Sequence, residues 1–250
     1  MILIPFFSFA QLTKSGFRSA NPNLHVDFSG SIGSGKGLER FGKKTFSFVC
    51  GNPLTIAHAI ANGVAPENKT VTYETVSSSL SGAQKCWITQ NLGSTNQAIS
   101  ETDATEAAAG WYWQFNKKKG YKNNGTTTSP TFPTSNSRTE TVNWEALKDP
   151  CTLELGAGWR IPTVTEWTNV NSANLRAQAY NGILKMHAAG YISTGKSSAL
   201  TDRGSKFFYW SATSNDVTFG KGLVIYTTST YNQISNNDKD AGLTVRCIRD

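Results

Sequence analysis

The chain has 250 residues, enough to bury a core as one large domain or two small ones. Hydrophobic residues make up 38% and charged residues 16%, with Thr, Ser, Asn and Gly filling the difference, a composition common in exported surface proteins. The net charge of +7 permits an acidic partner without demanding one, and no run beyond the first nine residues approaches the roughly 20 apolar residues that span a bilayer, which argues against an integral helical membrane protein.

The chain opens MILIPFFSFA, an apolar stretch ending in small residues at the positions a signal peptidase reads. Residues 1–10 therefore read as an export signal cleaved after Ala10, although the usual basic leader is missing. Residues 11–45 are rich in Ser, Gly and Asn and read as an extended arm, with one short strand at 24–28. Within the arm, GSIGSGKG at 30–37 sits one residue away from a phosphate-binding loop. The Ser or Thr that holds magnesium is replaced by Gly37, and no convincing helix follows, so the loop reads as a linker.

From residue 46 onward the signals are those of a folded domain, 46–250. Strands are expected at 46–49, 70–76, 85–89 and 110–115 from alternation and β-branched or aromatic content. Residues 116–140 read as a long polar loop. A first helix is expected over 143–148, stopping before Pro150. A second is expected after Pro162, because Thr163 and Glu166 form a capping box and Val164, Trp167 and Val170 recur at helical spacing. Residues 183–186 read as a short buried strand or turn. Strands follow at 207–211, 222–226 and 243–248. Strands, two helices, then strands again predict an α+β domain.

Four cysteines, Cys50, Cys86, Cys151 and Cys247, form no CxxC and have no His at metal-ligand spacing, so a zinc site is not expected. An even number in an exported chain reads as two disulfides with three possible pairings. His25, His58 and His187 are scattered, and His187 reads as a satisfied structural residue. No Ser or Cys carries an activated-nucleophile motif, so the chain reads as a non-enzyme that needs no cofactor. The cluster WYWQFNKKKGYK at 111–122 mixes aromatics with Lys, but its alternation reads as a strand leading into a solvated loop rather than a nucleic-acid grip. Trp87, Trp111, Trp113, Trp159, Trp167 and Trp210 read mostly as core.

Four phrases together resemble a known family. CWITQNL at 86–92 is similar to W-M-x-x-N-L, and GWRIPT at 158–163 with Glu166-Trp167 is similar to GW(R/H)-L-P-T-x-x-E-W. YWSAT at 209–213 is similar to Y-W-S-S-T, and LTVRCIR at 243–249 to (F/L)-S-V-R-C-(V/I)-(R/K). Over roughly residues 50–250 the chain resembles the Fibrobacter succinogenes major paralogous domain, found in exported proteins of Bacteroidetes. The resemblance implies a C-type lectin-like fold, with two helices packed on small antiparallel sheets. It also implies a disulfide between Cys151 and Cys247, which leaves Cys50 with Cys86. Formylglycine-generating enzymes share the GWRIPT phrase, but their late pair of copper-holding cysteines is absent, with only Cys247 in place.

The calcium-binding phrases of lectins in this fold are missing; Asn215 and Asp216 supply at most two oxygen ligands, so no metal site is expected. Residues 213–241, TSNDVTFGKGLVIYTTSTYNQISNNDKDA, are packed with Asn, Thr, Ser, Asp and Tyr, the chemistry of recognition loops. The resemblance places this region on the ligand-facing surface. The expected contacts are Asn215, Asp216, Thr218, Lys221, Tyr226, Thr228, Tyr231, Asn232, Asn236 and Asn237, and the expected partner is a protein or carbohydrate on another cell or surface. The composition also looks like the product of a diversity-generating retroelement acting on Asn codons. The alternatives are a structural or adhesive fibre or pilus-tip protein anchored through the arm and, less favoured, an enzyme of the formylglycine-generating type.

Overall fold

The alternation at residues 70–76 makes strands, but Glu74 interrupts it and divides the segment in two. In the computed structural model, which describes residues 48–134, 141–173, 179–194, 198–228 and 232–250, these are β2 (Lys69–Tyr73) and β3 (Thr75–Ser78), preceded by β1 (Leu54–His58). The expected export segment 1–10, the arm 11–45 with its strand and Gly-rich loop, and Tyr231 lie outside the described residues. β4 (Lys85–Ile88), α1 (Glu106–Ala109), β5 (Tyr112–Trp113), β6 (Gly120–Asn123) and β7 (Thr128–Ser129) follow. Then come α2 (Pro150–Leu155), β8 (Trp159–Arg160), α3 (Val164–Ser172), β9 (Tyr191–Ser193) and β10 (Ala199–Thr201). The chain closes with β11 (Lys206–Ser214), β12 (Phe219–Tyr226), β13 (Asn232–Asp238), β14 (Leu243–Thr244) and β15 (Ile248–Arg249).

The α+β expectation is overturned: the described chain is mainly β. A seven-stranded sheet runs β13-β12-β11-β14-β5-β6-β7, a four-stranded sheet runs β3-β4-β15-β8, and β1-β2 and β9-β10 are separate pairs. The three described α-helices have four, six and nine residues, so two helices packed on small sheets do not describe this architecture. The first expected helix also moves, for a local reason. Residues 143–148 form a turn, in which the Trp144 indole donates to Lys148 O (3.0 Å). The helix begins instead at Pro150, where a missing N–H costs nothing, and Asp149 caps it by accepting from Cys151 N and Thr152 N. Residues 116–140 are not one loop, since β6 and β7 pair within them.

The capping box at Thr163 and Glu166 is present and starts α3 where the sequence places it. Trp167 and Val170 of α3 pack with Phe207 and Tyr209 of β11 and Leu223 and Ile225 of β12. The opposite face of β11 carries Trp210 into a second core with Trp113, Phe115 and Leu243. All six tryptophans read as core are buried, 2% exposed or less.

The four motif segments meet in this frame. Arg246 is fully buried; it donates to Ile88 O, Leu184 O and Asn91 Oδ1 and lies 3.4 Å from the Tyr209 hydroxyl. The Trp167 indole donates to Trp210 O (3.0 Å), and the Trp210 indole donates to Trp113 O (2.7 Å). Arg160 grips Glu166 with two hydrogen bonds (2.7 and 2.8 Å) and holds Asp250 with two more. Disulfides join Cys151 to Cys247 and Cys50 to Cys86. Among the described residues, no helix is long and apolar enough to cross a membrane.

Candidate functional site

Residues 213–241 are chiefly strand rather than loop: β12 and β13 pair along their whole lengths, from Phe219↔Asp238 to Ile225↔Asn232. Polarity alone suggests a loop, because Asn and Asp are poor strand formers. Here the partner strand supplies the hydrogen bonds.

The pairing divides the expected ligand contacts. Side chains alternate across a sheet, so Lys221 and Asn236, directly opposite each other, share the face on which Leu223 and Ile225 pack against α3. Tyr226 and Asn237 lie on the other face. Asn215, Asp216 and Thr218 stand at the β11–β12 turn, while Thr228 and Asn232 stand at the far end of the meander. Asn215, Thr228 and Asn236 are exposed and the other described members half-buried. The ten residues therefore do not form one patch.

Several of them have structural duties. Asp216 Oδ1 accepts from Thr218 N and Phe219 N, both 2.7 Å, and Oδ2 accepts from the Asn215 amide. Those bonds, that from Phe219 first, hold the Asp216 carboxyl below its ordinary value. The Lys239 ammonium, buried, donates to Asp216 O and Ser214 Oγ and clamps the turn. Asn232 donates to Asn171 of α3 (2.6 Å). Among the described residues no three His, Cys, Asp or Glu side chains are grouped to hold a metal ion.

A coherent surface does form on the face opposite α3. Phe208 of β11 lies in register with Val224, which pairs with Gln233; Lys206 pairs with Tyr226; and Gly222 pairs with Ser235. Tyr191 of β9 joins them, its ring 4.6 Å from that of Phe208. The Lys206 ammonium lies 4.8 Å over the Tyr226 ring and 3.0 Å from Asp202. Burial depresses the Lys206 pKa, but the bond to Asp202 and the nearby tyrosines outweigh it, so the ammonium stays charged. Gly222 leaves room for the Asn237 amide, which reaches to Ser235 O; a Cβ there would lie 2.7 Å from Asn237 Nδ2.

Tyr191, Lys206, Phe208, Tyr226, Gln233, Ser235 and Asn237 are all half-buried, and Tyr191 and Phe208 also pack against the edge of the main core. Only Tyr226 and Asn237 belong to the set named from sequence. Alternation along 206–210 puts Lys206 and Phe208 on one face and was a usable signal; the arrival of Tyr191 was not, because its strand is in another sheet. The surface offers aromatic rings beside amide, hydroxyl and ammonium groups, able to pack on C–H faces while hydrogen-bonding polar groups.

The histidines are elsewhere. His58 is buried, with Nδ1 2.5 Å from Glu154 Oε2 and Nε2 2.8 Å from the Tyr73 hydroxyl, which accepts from Gly93 N. This chain ties β1, β2 and α2 inside the core, and burial raises the Tyr73 pKa. His187 is not the satisfied residue expected: it is buried, and neither ring nitrogen has a partner. Burial first, then the charge of Arg246, pushes its pKa down to about 3. Of the Lys cluster at 117–122, Lys118 and Lys119 are exposed and Lys122 pairs with Glu67 (2.6 Å). Comparison of the chain with protein-family models, curated proteins and solved structures finds no match.

Proposed function

We propose that this chain is an exported recognition module that holds a carbohydrate or protein ligand on the face of β11–β13 opposite α3, at the edge of the main core. One observation carries the reading. All seven tryptophans are buried, whereas Tyr191, Phe208 and Tyr226 stand together only half-buried, beside Lys206 and a row of amide and hydroxyl side chains. Two disulfides favour an oxidising compartment, and the apolar opening at 1–10 supports export. The four motifs that resemble the Fibrobacter succinogenes major paralogous domain support the same assignment.

A disulfide-tied frame carrying adaptable polar side chains lets the surface change without loss of the fold. Retroelement-driven diversification over 213–241 belongs to this reading. Its test is a near-identical template copy beside a reverse transcriptase in the encoding genome.

The binding test is a glycan array and a pull-down from neighbouring cells with the full chain, repeated with Tyr191→Ala and Tyr226→Ala. A ligand whose affinity falls about tenfold or more in both variants, at unchanged Tm, supports the surface. A ligand held equally well by both variants, or no ligand in either assay, refutes it.

A further inference from the structure

The two ends of the seven-stranded sheet are finished differently. β7 has only two residues and runs into Pro130, so little backbone is left unpaired there. β13 has seven, Asn-Gln-Ile-Ser-Asn-Asn-Asp, with no Pro, no Lys and an unbroken register with β12. Natural edge strands are usually blunted by shortness, charge, Pro or a bulge, because a free edge is a template for another strand.

The directions of the β13 backbone groups follow from its ladder. Hydrogen-bonded and non-hydrogen-bonded pairs alternate along antiparallel strands. Lys239 N donates to Thr218 O (3.0 Å), one pair beyond Phe219↔Asp238. Counting back in twos, Asn237, Ser235 and Gln233 direct their N–H and C=O groups to β12. Ile234 and Asn236 therefore direct theirs away from the sheet, and no backbone or side-chain group of the described residues bonds to those atoms.

We propose that β13 pairs antiparallel with β13 of a second copy of this chain, about a two-fold axis at Ser235. This register uses the whole strand and is self-complementary. Ile234 faces Asn236 of the second copy in a hydrogen-bonded pair, so the outward groups of both are satisfied. Gln233 faces Asn237, amide to amide, and Ser235 faces Ser235. The strand's single charged side chain, Asp238, falls opposite Asn232, so no like charges meet. An unrelated peptide strand gains the backbone bonds but not this matched set, which is why the second copy is the occupant.

A two-fold axis through a β ladder stands perpendicular to the sheet, so both copies present Tyr191, Phe208 and Tyr226 on the same side. The pairing goes beyond the ligand reading above and does not depend on it, but it gives a multivalent ligand two adjacent faces.

The test uses the full chain in sedimentation equilibrium, with Asn236→Pro and Ser235→Cys. Proline at 236 removes an outward N–H and leaves the β12 ladder intact. The expected results are a dimer mass at about 100 µM, a concentration at which weak specific complexes are populated, and a monomer for Asn236→Pro at unchanged Tm. Ser235→Cys is expected to give a covalent dimer under oxidising conditions, because opposed side chains in a non-hydrogen-bonded pair have Cβ atoms about 4.5–5.5 Å apart. Ser172→Cys, exposed on α3, is the control and is expected not to cross-link. If Asn236→Pro lowers Tm, the cross-link decides. A monomer at about 100 µM, a dimer that survives Asn236→Pro, Ser235→Cys cross-linking no better than the control, or β13 captured by another protein's strand each overturns the proposal.

Discussion

Loss of the Cys151–Cys247 disulfide is expected to destabilise the protein more than loss of Cys50–Cys86. The chain between Cys151 and Cys247 spans a sequence separation of 96, against 36 for the other pair. On a chain-entropy basis, closing the longer loop stabilises by about 4.7 kcal/mol and the shorter by about 3.8 kcal/mol. Packing widens the gap: Cys151 and Cys247 are fully buried in the main core, whereas Cys50 is only half-buried. Replacing Cys151 and Cys247 with Ala leaves small voids in the main core, so the total expected loss is roughly 5–6 kcal/mol. Replacing Cys50 and Cys86 with Ala is expected to cost about 4 kcal/mol. Guanidinium unfolding of the two double variants measures both values, and the larger slope m expected of each reports a more expanded denatured chain. The matching drop in Tm for the first variant is about 10–20 °C. The reasoning is refuted if the Cys50/Cys86 variant proves the less stable, or if the Cys151/Cys247 variant loses less than about 2 kcal/mol.

Gly93→Ala is expected to be among the most damaging small substitutions. Gly93 has φ +80°, and an added Cβ would lie 2.1 Å from the Trp111 ring, so a cost of about 3 kcal/mol or more should appear as reduced Tm or failed expression. His187 has a folded pKa near 3, below its unfolded value, so its stabilising contribution is complete above about pH 6.5 and lost as the pH falls toward 3. His187→Leu removes two unpartnered buried nitrogens; it should be no less stable at pH 7 and should flatten the acid limb of the unfolding free energy against pH, measured by denaturant titration, by up to about 1.4 kcal/mol per pH unit. Asp250 is held at about 2 by its bonds from Arg160 and then Lys85, so its contribution is present above the unfolded pKa and lost as the pH falls through about 2. Arg160→Met should move that carboxyl titration upward in an NMR pH series, and an unmoved titration would show that the ion pair does not form in solution.

What the sequence by itself determined lies within short stretches of chain. Thr163 and Glu166 are three residues apart, so the capping box and the start of α3 are legible; so is the β character of 207–211 and 222–226, and the burial of the tryptophans. The tertiary structure decided the rest, because it turns on partners remote in the chain. Asn232–Asp238 looks like a loop until β12 supplies its hydrogen bonds. Pro150 looks like a helix stop until Asp149, held also by Ile161 N, caps a helix that begins there. The α+β expectation failed because helices need only local turns, whereas the seven-stranded sheet joins β5–β7 to β11–β14 across roughly a hundred residues of loop closure. The same long-range pairing splits the ten expected ligand contacts between two faces and brings Tyr191 beside Phe208, a meeting that no window of sequence contains.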